Sequence, residues 1–325
     1  MIDVPLFSDV KEAAARIAPY AVKTPLVESP ILGAMRNARV FLKLESLQRT
    51  GSFKFRRAAN RILMIPKDRR AAGVVAFSSG NHAQAVAAMA QILGIPALIV
   101  MPADAPKAKI EGTRAFGAEI VTYDRVRDDR EAIAGRICQE RGATLIKPYD
   151  DPLVIAGQGT AGLEIAEDAV RLGLALDAVA VPCSGGGLVS GIALALKGAG
   201  VAAFVHSVEP DNFDGMRRSL AAHAKSTAPG GQLSIADSLM APTPGHHVFA
   251  VADGLLAPGL TVSDRELAHA VAFAATRLKL LVEPGGAAAL AAYLAGKIEA
   301  KTAVLVISGG NADFATIANA VAGSP

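Results

Sequence analysis

Cysteine is scarce in this chain: Cys138 and Cys183 are the only two in 325 residues. They lie far apart with no metal-ligand spacing, which excludes a disulfide framework and fits a reduced compartment. Cys183 abuts a glycine loop, where a small buried filler is its expected role. A block of like charge is also missing. The formal net charge of +3 is small for this length, and no Lys/Arg-rich stripe with interleaved aromatics occurs, so no nucleic-acid partner is expected. No uninterrupted apolar stretch reaches membrane-spanning length, and Met1 to Tyr20 carries Asp3, Asp9, Lys11, Glu12 and Arg16 where a signal peptide needs an apolar core. A cytoplasmic protein with no membrane partner is the expectation. Repeats and low-complexity tracts are absent.

What the chain does have is apolar material, 51% of its residues, enough for one large or two medium domains. Apolar runs at Val74 to Phe77, Ala97 to Met101, Ile120 to Tyr123, Thr144 to Ile146, Ala178 to Val181, Phe204 to Val208 and Ala303 to Ile307 alternate with helix-length segments. That alternation predicts parallel sheets covered on both faces. Ser263 with Glu266 forms a capping box that opens a helix expected over Asp264 to Leu280.

Three segments carry chemistry. Thr50-Gly51-Ser52-Phe53-Lys54-Phe55-Arg56 sets one lysine between two aromatic rings, on a Gly/Ser turn leading into a helix expected from Arg56 to Met64. Apolar surroundings penalise the ammonium form, which a Schiff-base lysine requires; a snorkelling surface lysine fits the same fragment. Ser78-Ser79-Gly80-Asn81-His82 follows one apolar run and precedes Ala83, Val86, Ala87, Ala90 and Leu93, spaced as a buried helix face. Free N–H groups and a helix dipole at such a turn suit a carboxylate, although Ser and Asn also serve as ordinary caps. Pro182-Cys183-Ser184-Gly185-Gly186-Gly187-Leu188 is again a strand-to-helix junction. Its glycines can close around a phosphate, or form a plain flexible turn, and the loop alone does not choose.

Together with Lys147 to Pro152, Ile155 to Thr160, Val208-Glu209-Pro210, Glu283 to Ala287 and Ser308-Gly309-Gly310-Asn311, these motifs run through nearly the whole chain. The chain resembles the serine/threonine dehydratase and serine racemase branch of the fold-type II pyridoxal phosphate enzymes. The resemblance implies an α/β fold of the tryptophan synthase β type, with two parallel-sheet-containing domains and the cofactor in the cleft between them. Residues 1–72 and 151–325 would form the large cofactor-binding domain, and residues 73–150 a small mobile one. It also implies pyridoxal 5'-phosphate, a small amino-acid substrate, and a homo-oligomer, dimer or tetramer.

Roles follow position by position. Lys54 would bind the cofactor as a Schiff base and then act as the base on Cα. Phe53 would pack on the pyridine ring and Asn81 would bond its phenolic oxygen. Ser184, Gly185, Gly186, Gly187 and Leu188 would hold the phosphate. Ser78, Ser79, Asn81 and His82 would meet the substrate, with Ser79 also the residue that reprotonates the opposite face in the racemases. Ser308 would face the pyridine nitrogen, where a hydroxyl leaves the ring neutral and favours elimination over transamination. The implied reaction is α,β-elimination of water from L-threonine or L-serine, giving a 2-keto acid and ammonia. Serine racemisation and 3-hydroxyaspartate dehydration share the motifs, and a noncatalytic sensor of an amino acid or of the cofactor could keep the fold.

Two positions depart from the pattern. The family's divalent-cation site, for Mg²⁺ or Ca²⁺, uses a carboxylate six residues after the one matched by Glu209, but Gly215 stands there and Asp214 one place early. That weakens the expectation of a cation. Asp237-Ser238 replaces a usual Asp-Gly, which brings a side chain toward the ring. The adjacent His246 and His247 project differently and read as a Pro/Gly-rich loop rather than a metal motif.

Overall fold

The computed structural model describes residues 4–105 and 107–323. Its strands are β1 (Leu26–Glu28), β2 (Arg39–Leu44), β3 (Val74–Phe77), β4 (Ala97–Pro102), β5 (Glu119–Tyr123), β6 (Thr144–Leu145), β7 (Ala178–Pro182), β8 (Phe204–Pro210), β9 (Leu260–Val262) and β10 (Thr302–Ile307). They form two sheets, one ordered β1-β2-β10-β7-β8-β9 and one ordered β5-β4-β3-β6. Every pairing is parallel except β1 with β2, an antiparallel edge that the strand–helix alternation did not predict.

The inner strands of both sheets are buried on two faces, as the alternation within β2 and β3 shows. In β2, Val40, Leu42 and Leu44 join one core with the helices Asp264–Phe273 and Ala288–Leu294, whereas Phe41 joins the opposite core beneath Pro152–Arg171 and Gly187–Gly198. In β3, Val74 and Ala76 face the helix Asn81–Leu93, while Val75 and Phe77 face Arg130–Arg141. Successive strand side chains point to opposite faces, so a sheet covered twice needs near-continuous apolar runs. The helix Lys54–Leu63 sends Phe55, Ala58, Ala59 and Ile62 into the core of the smaller sheet.

Three helical expectations change. The lysine helix starts two residues early, at Lys54, with Met64 as its C-cap. The helix behind the Ser263–Glu266 capping box is α-helical only over Asp264–Phe273 and widens into a π turn at Ala274–Leu278, closed by Lys279 with φ 62°. A positive φ at a non-glycine residue cannot propagate a right-handed helix. His246 and His247 open a helix, His246–Ala252, rather than lying in a loop. No helix among the described residues is long and apolar enough to cross a membrane.

Candidate active site

The site segments all follow the carboxyl ends of parallel strands, where an open α/β sheet exposes backbone amides and helix N-termini. β3 runs into Ser78–Gly80 and the helix Asn81–Leu93; β7 runs into Ser184–Gly186 and the helix Gly187–Gly198; β10 runs into Ser308–Asn311. The lysine turn packs against the last of these. Phe53 N–H donates to the Ser308 carbonyl at 3.1 Å and Gly310 N–H to that of Gly51 at 2.9 Å. Thr50 and Gly51 both take positive φ, 63° and 71°, a strained turn for a β-branched residue, and Asn311 Nδ2 braces it by donating to the Thr50 carbonyl at 2.7 Å.

These loops enclose a cavity of about 410 Å³. Phe53, Lys54, Ser78, Ser79, Asn81, His82 and Ser184 to Leu188 line it, as do Arg57, Tyr149, Gln158, Ser238, Glu283 and Asn311. Ser308 is buried beside it, its N–H donating to the Gly286 carbonyl at 3.3 Å, but it is not among the lining residues.

Electrostatics favour a neutral lysine. Burial, then the nearby Arg57 cation, push the Lys54 ammonium well below its ordinary range, against a smaller pull from Glu283. Its Nζ sits 4.2 Å from the centre of the Phe53 ring and joins no ion pair among the described residues. His82 Nε2 lies 3.0 Å from the Ile146 carbonyl. A carbonyl only accepts, so Nε2 carries the proton and Nδ1 presents a lone pair, buried and without a partner. Burial and Arg57 keep the ring neutral. Asn81 Nδ2 donates to Glu283 Oε1 at 2.7 Å, and its Oδ1 accepts from Asn311 at 2.8 Å. The carboxamide orientation is thereby fixed, with one N–H still to give. Burial lifts the Glu283 carboxyl to about 7, Asp237 adding to the effect.

The glycine loop leaves room where side chains would not fit. A Cβ on Gly185 would lie 2.7 Å from the Tyr149 ring and one on Gly187 2.7 Å from Gln158 Oε1, while Gly186 has φ +90°. The first-turn amides of Gly187–Gly198 have no acceptor within the helix. Ser184 Oγ accepts from Ala241 N–H at 3.2 Å, so its own proton can be donated.

The family model for "pyridoxal-phosphate dependent enzyme" matches residues 17–309. The chain belongs to that family, in its serine/threonine dehydratase and serine racemase branch. Among its relatives are a serine racemase of Schizosaccharomyces pombe, 41% identical over 96% of this chain and 95% of that protein, and an L-threo-3-hydroxyaspartate ammonia-lyase of Saccharomyces cerevisiae, 40% identical over 98% and 97%. The crystal structure of a T.th. threonine deaminase superposes with a TM-score of 0.89 at 42% identity, covering 95% of this chain and 99% of that one. The fold is that of the fold-type II enzymes.

The cavity fits the cofactor of this family. It holds a lysine that burial disfavours as a cation, a glycine cradle at a helix N-terminus for a phosphate, and an asparagine with a donor to spare. The weakened cation site has its carboxylates engaged elsewhere. Glu209 caps the helix Gly215–Ala222 by accepting from Met216 and Arg217 N–H, both at 2.8 Å, and Asp214 pairs with Arg217 and Arg218. No cluster of three or more acidic, His or Cys ligands occurs among the described residues. Sequence reasoning missed Arg57, Tyr149, Gln158 and Glu283 as cavity residues. Glu283, Tyr149 and Gln158 stand inside motif segments without an assigned role, and Arg57 could have been found by its spacing, one helical turn after Lys54.

Proposed function

We propose that the chain eliminates water from a β-hydroxy amino acid, L-threonine and L-serine among them, to give a 2-keto acid and ammonia. The observation that carries this reading is the Lys54 amine, disfavoured as a cation inside a cavity walled by two helix-N-terminal loops. Bound pyridoxal phosphate supplies the electron sink that makes a Cα–H bond acidic.

Lys54 would hold the cofactor, and its amine, which burial disfavours as a cation, would take the Cα proton. Phe53 would pack on the ring, and Asn81 would give its second N–H to the phenolic oxygen. Ser184, Gly185, Gly186, Gly187 and Leu188, which line the cavity, would hold the phosphate through their N–H groups. Ser78, Ser79 and the amides of the following turn receive the substrate's α-carboxylate, and His82, neutral with Nδ1 as acceptor, lies beside them. Ser308, buried beside the cavity, would offer the pyridine nitrogen a hydroxyl instead of a carboxylate. Residues 73–150, which carry the smaller sheet, would close over the substrate and exclude water; structures with and without substrate that superpose as one rigid body would end that part of the reading.

Keto-acid release by the cofactor-loaded protein is the test, run with L-threonine, L-serine, D-serine and L-threo-3-hydroxyaspartate. Release from at least one, lost by about a thousandfold or more in Lys54→Ala, is the expected result. Undiminished turnover in that variant removes Lys54 from its role, and no release from any substrate removes the elimination reading in favour of racemisation through Ser79 or a sensor.

A further inference from the structure

Arg57 lies three residues after Lys54 on the same helix, so the two side chains share a face. It is buried, with 3% of its surface exposed, and it lines the cavity. One nitrogen, Nη1, donates to the Pro148 carbonyl, and the guanidinium carbon stands 6.0 Å from the centre of the Phe53 ring. Nε is buried with no partner, and no carboxylate pairs with the group among the described residues. Other cations at the cavity rim are differently placed: Lys109 is held by Asp237 at 2.9 Å and Arg125 by Asp104 at 2.8 Å, while Arg130 is exposed to solvent. Among the described residues, Arg57 alone is a desolvated guanidinium in the cavity wall without a counter-ion.

A buried cation kept without an anion is costly, and the cost is recovered when an anion enters beside it. On the proposed reaction, on which this inference rests, two anionic groups already have neutral cradles. The cofactor phosphate has the glycine loop, and the substrate's α-carboxylate has the turn before Asn81–Leu93. A guanidinium is a third anion site, with a planar fork suited to a carboxylate. We propose that Arg57 receives a second, side-chain carboxylate, so that the preferred substrates are β-hydroxy amino acids bearing two acid groups, of the 3-hydroxyaspartate type, over serine and threonine.

The test is a ratio within one preparation: kcat/KM for L-threo-3-hydroxyaspartate divided by that for L-serine, for the cofactor-loaded wild type, Arg57→Gln and Arg57→Lys. Because both rates come from the same sample, any loss of folded or loaded protein cancels. The ratio is expected to exceed one in the wild type, to fall about tenfold to a hundredfold in Arg57→Gln, and to be partly restored in Arg57→Lys. A second readout needs no turnover: succinate should perturb the bound cofactor's fluorescence at lower concentration than butyrate, and that preference should vanish in Arg57→Gln. An unchanged ratio overturns the assignment. So does an equal loss with both substrates, which puts Arg57 on the α-carboxylate, or a weakened titration with pyridoxal phosphate at constant ratio, which puts it on the phosphate. If no β-hydroxy amino acid yields keto acid, the elimination reading fails by itself, and the succinate–butyrate comparison still decides the role of Arg57.

Discussion

Arg56 and Arg57 are neighbours in sequence, both buried, and they lie in opposite electrostatic settings. Arg56 donates to both Glu45 oxygens at 2.7 and 2.8 Å and to both Glu164 oxygens at 2.7 and 2.8 Å. Lys43 completes the group by donating to Glu164 at 2.5 Å and to the Thr24 carbonyl at 2.7 Å. Two cations meet two carboxylates, and the site is closed. Burial would penalise Arg56, but Glu45 and Glu164 hold its pKa above the ordinary value. Arg57, facing the cavity, has one carbonyl and an aromatic ring, and burial pushes its guanidinium down to about 9. The carboxylates repeat the contrast. Burial opposes the charge on Glu45, yet Arg56 keeps its carboxyl below the ordinary value, whereas Glu283 in the cavity is lifted to about 7. A network that neutralises itself belongs to the fold; charges left unbalanced around a cavity await a ligand.

The contrast breaks most sharply at Arg56. Arg56→Met leaves Glu45 wholly buried beside a network one cation short, and should lower the unfolding free energy by about 3–5 kcal/mol in chemical denaturation; a loss under about 1 kcal/mol would make the network dispensable. Glu283→Gln comes next, through pH. Since the Glu283 pKa is raised from 4.5 to about 7 by folding, the native state binds the extra proton between those values. Stability of the cofactor-free protein should therefore fall as pH rises from about 4.5 to 7, by at most about 3 kcal/mol at about 1.4 kcal/mol per pH unit. The glutamine variant should lack that share of the slope and be the more stable protein above pH 7. An identical pH profile for both proteins would mean that Glu283 ionises freely in place.

Asn311→Ala removes two hydrogen bonds, to Thr50 and to Asn81, and should weaken pyridoxal phosphate binding about tenfold in an absorbance titration while costing about 1–2 kcal/mol of stability. Unaltered cofactor affinity would separate Asn311 from the positioning of Asn81. The smallest change is expected at Arg57. Without ligand, Arg57→Met should stay within about 1 kcal/mol of the wild type, because the lost carbonyl bond is offset by removing an unpaired buried cation. A loss matching that of Arg56→Met would make both arginines structural.

Seven strands are readable from the sequence because both-face burial writes continuous apolar runs, as in Val74 to Phe77. β2 escapes because Arg39 and Lys43 interrupt it; Lys43 is fully buried with bonds to the Thr24 carbonyl and to Glu164, a partner supplied by the helix Pro152–Arg171. β1 and β9 are three residues each, too short for a period to register. The strand–loop–helix motifs around Lys54, Ser79 and Gly186 are readable for the same local reason, since loop and helix N-terminus are contiguous. The significance of Arg57 and Glu283 is not, although spacing places Arg57 beside Lys54, because it lies in what stands around them. Glu283 meets Asn81 across 202 positions of chain, and the importance of Arg57 is the carboxylate it lacks.

The place of β10 has a consequence for synthesis. It is the latest strand in chain order, yet it lies between β2 and β7, paired in parallel with both. A nascent chain that has emerged only as far as Ala300 lacks the strand that joins β1–β2 to β7–β8–β9, so the edges of β2 and β7 that pair with β10 have no strand partner. The larger sheet is therefore expected to be completed by insertion of a strand between those edges rather than by growth outward. Until that insertion, β2 and β7 are open to pairing with other chains, so a ribosome-bound chain exposed as far as Ala300 is expected to be more aggregation-prone than one exposed only through the β6 segment, where the smaller sheet has all its strands.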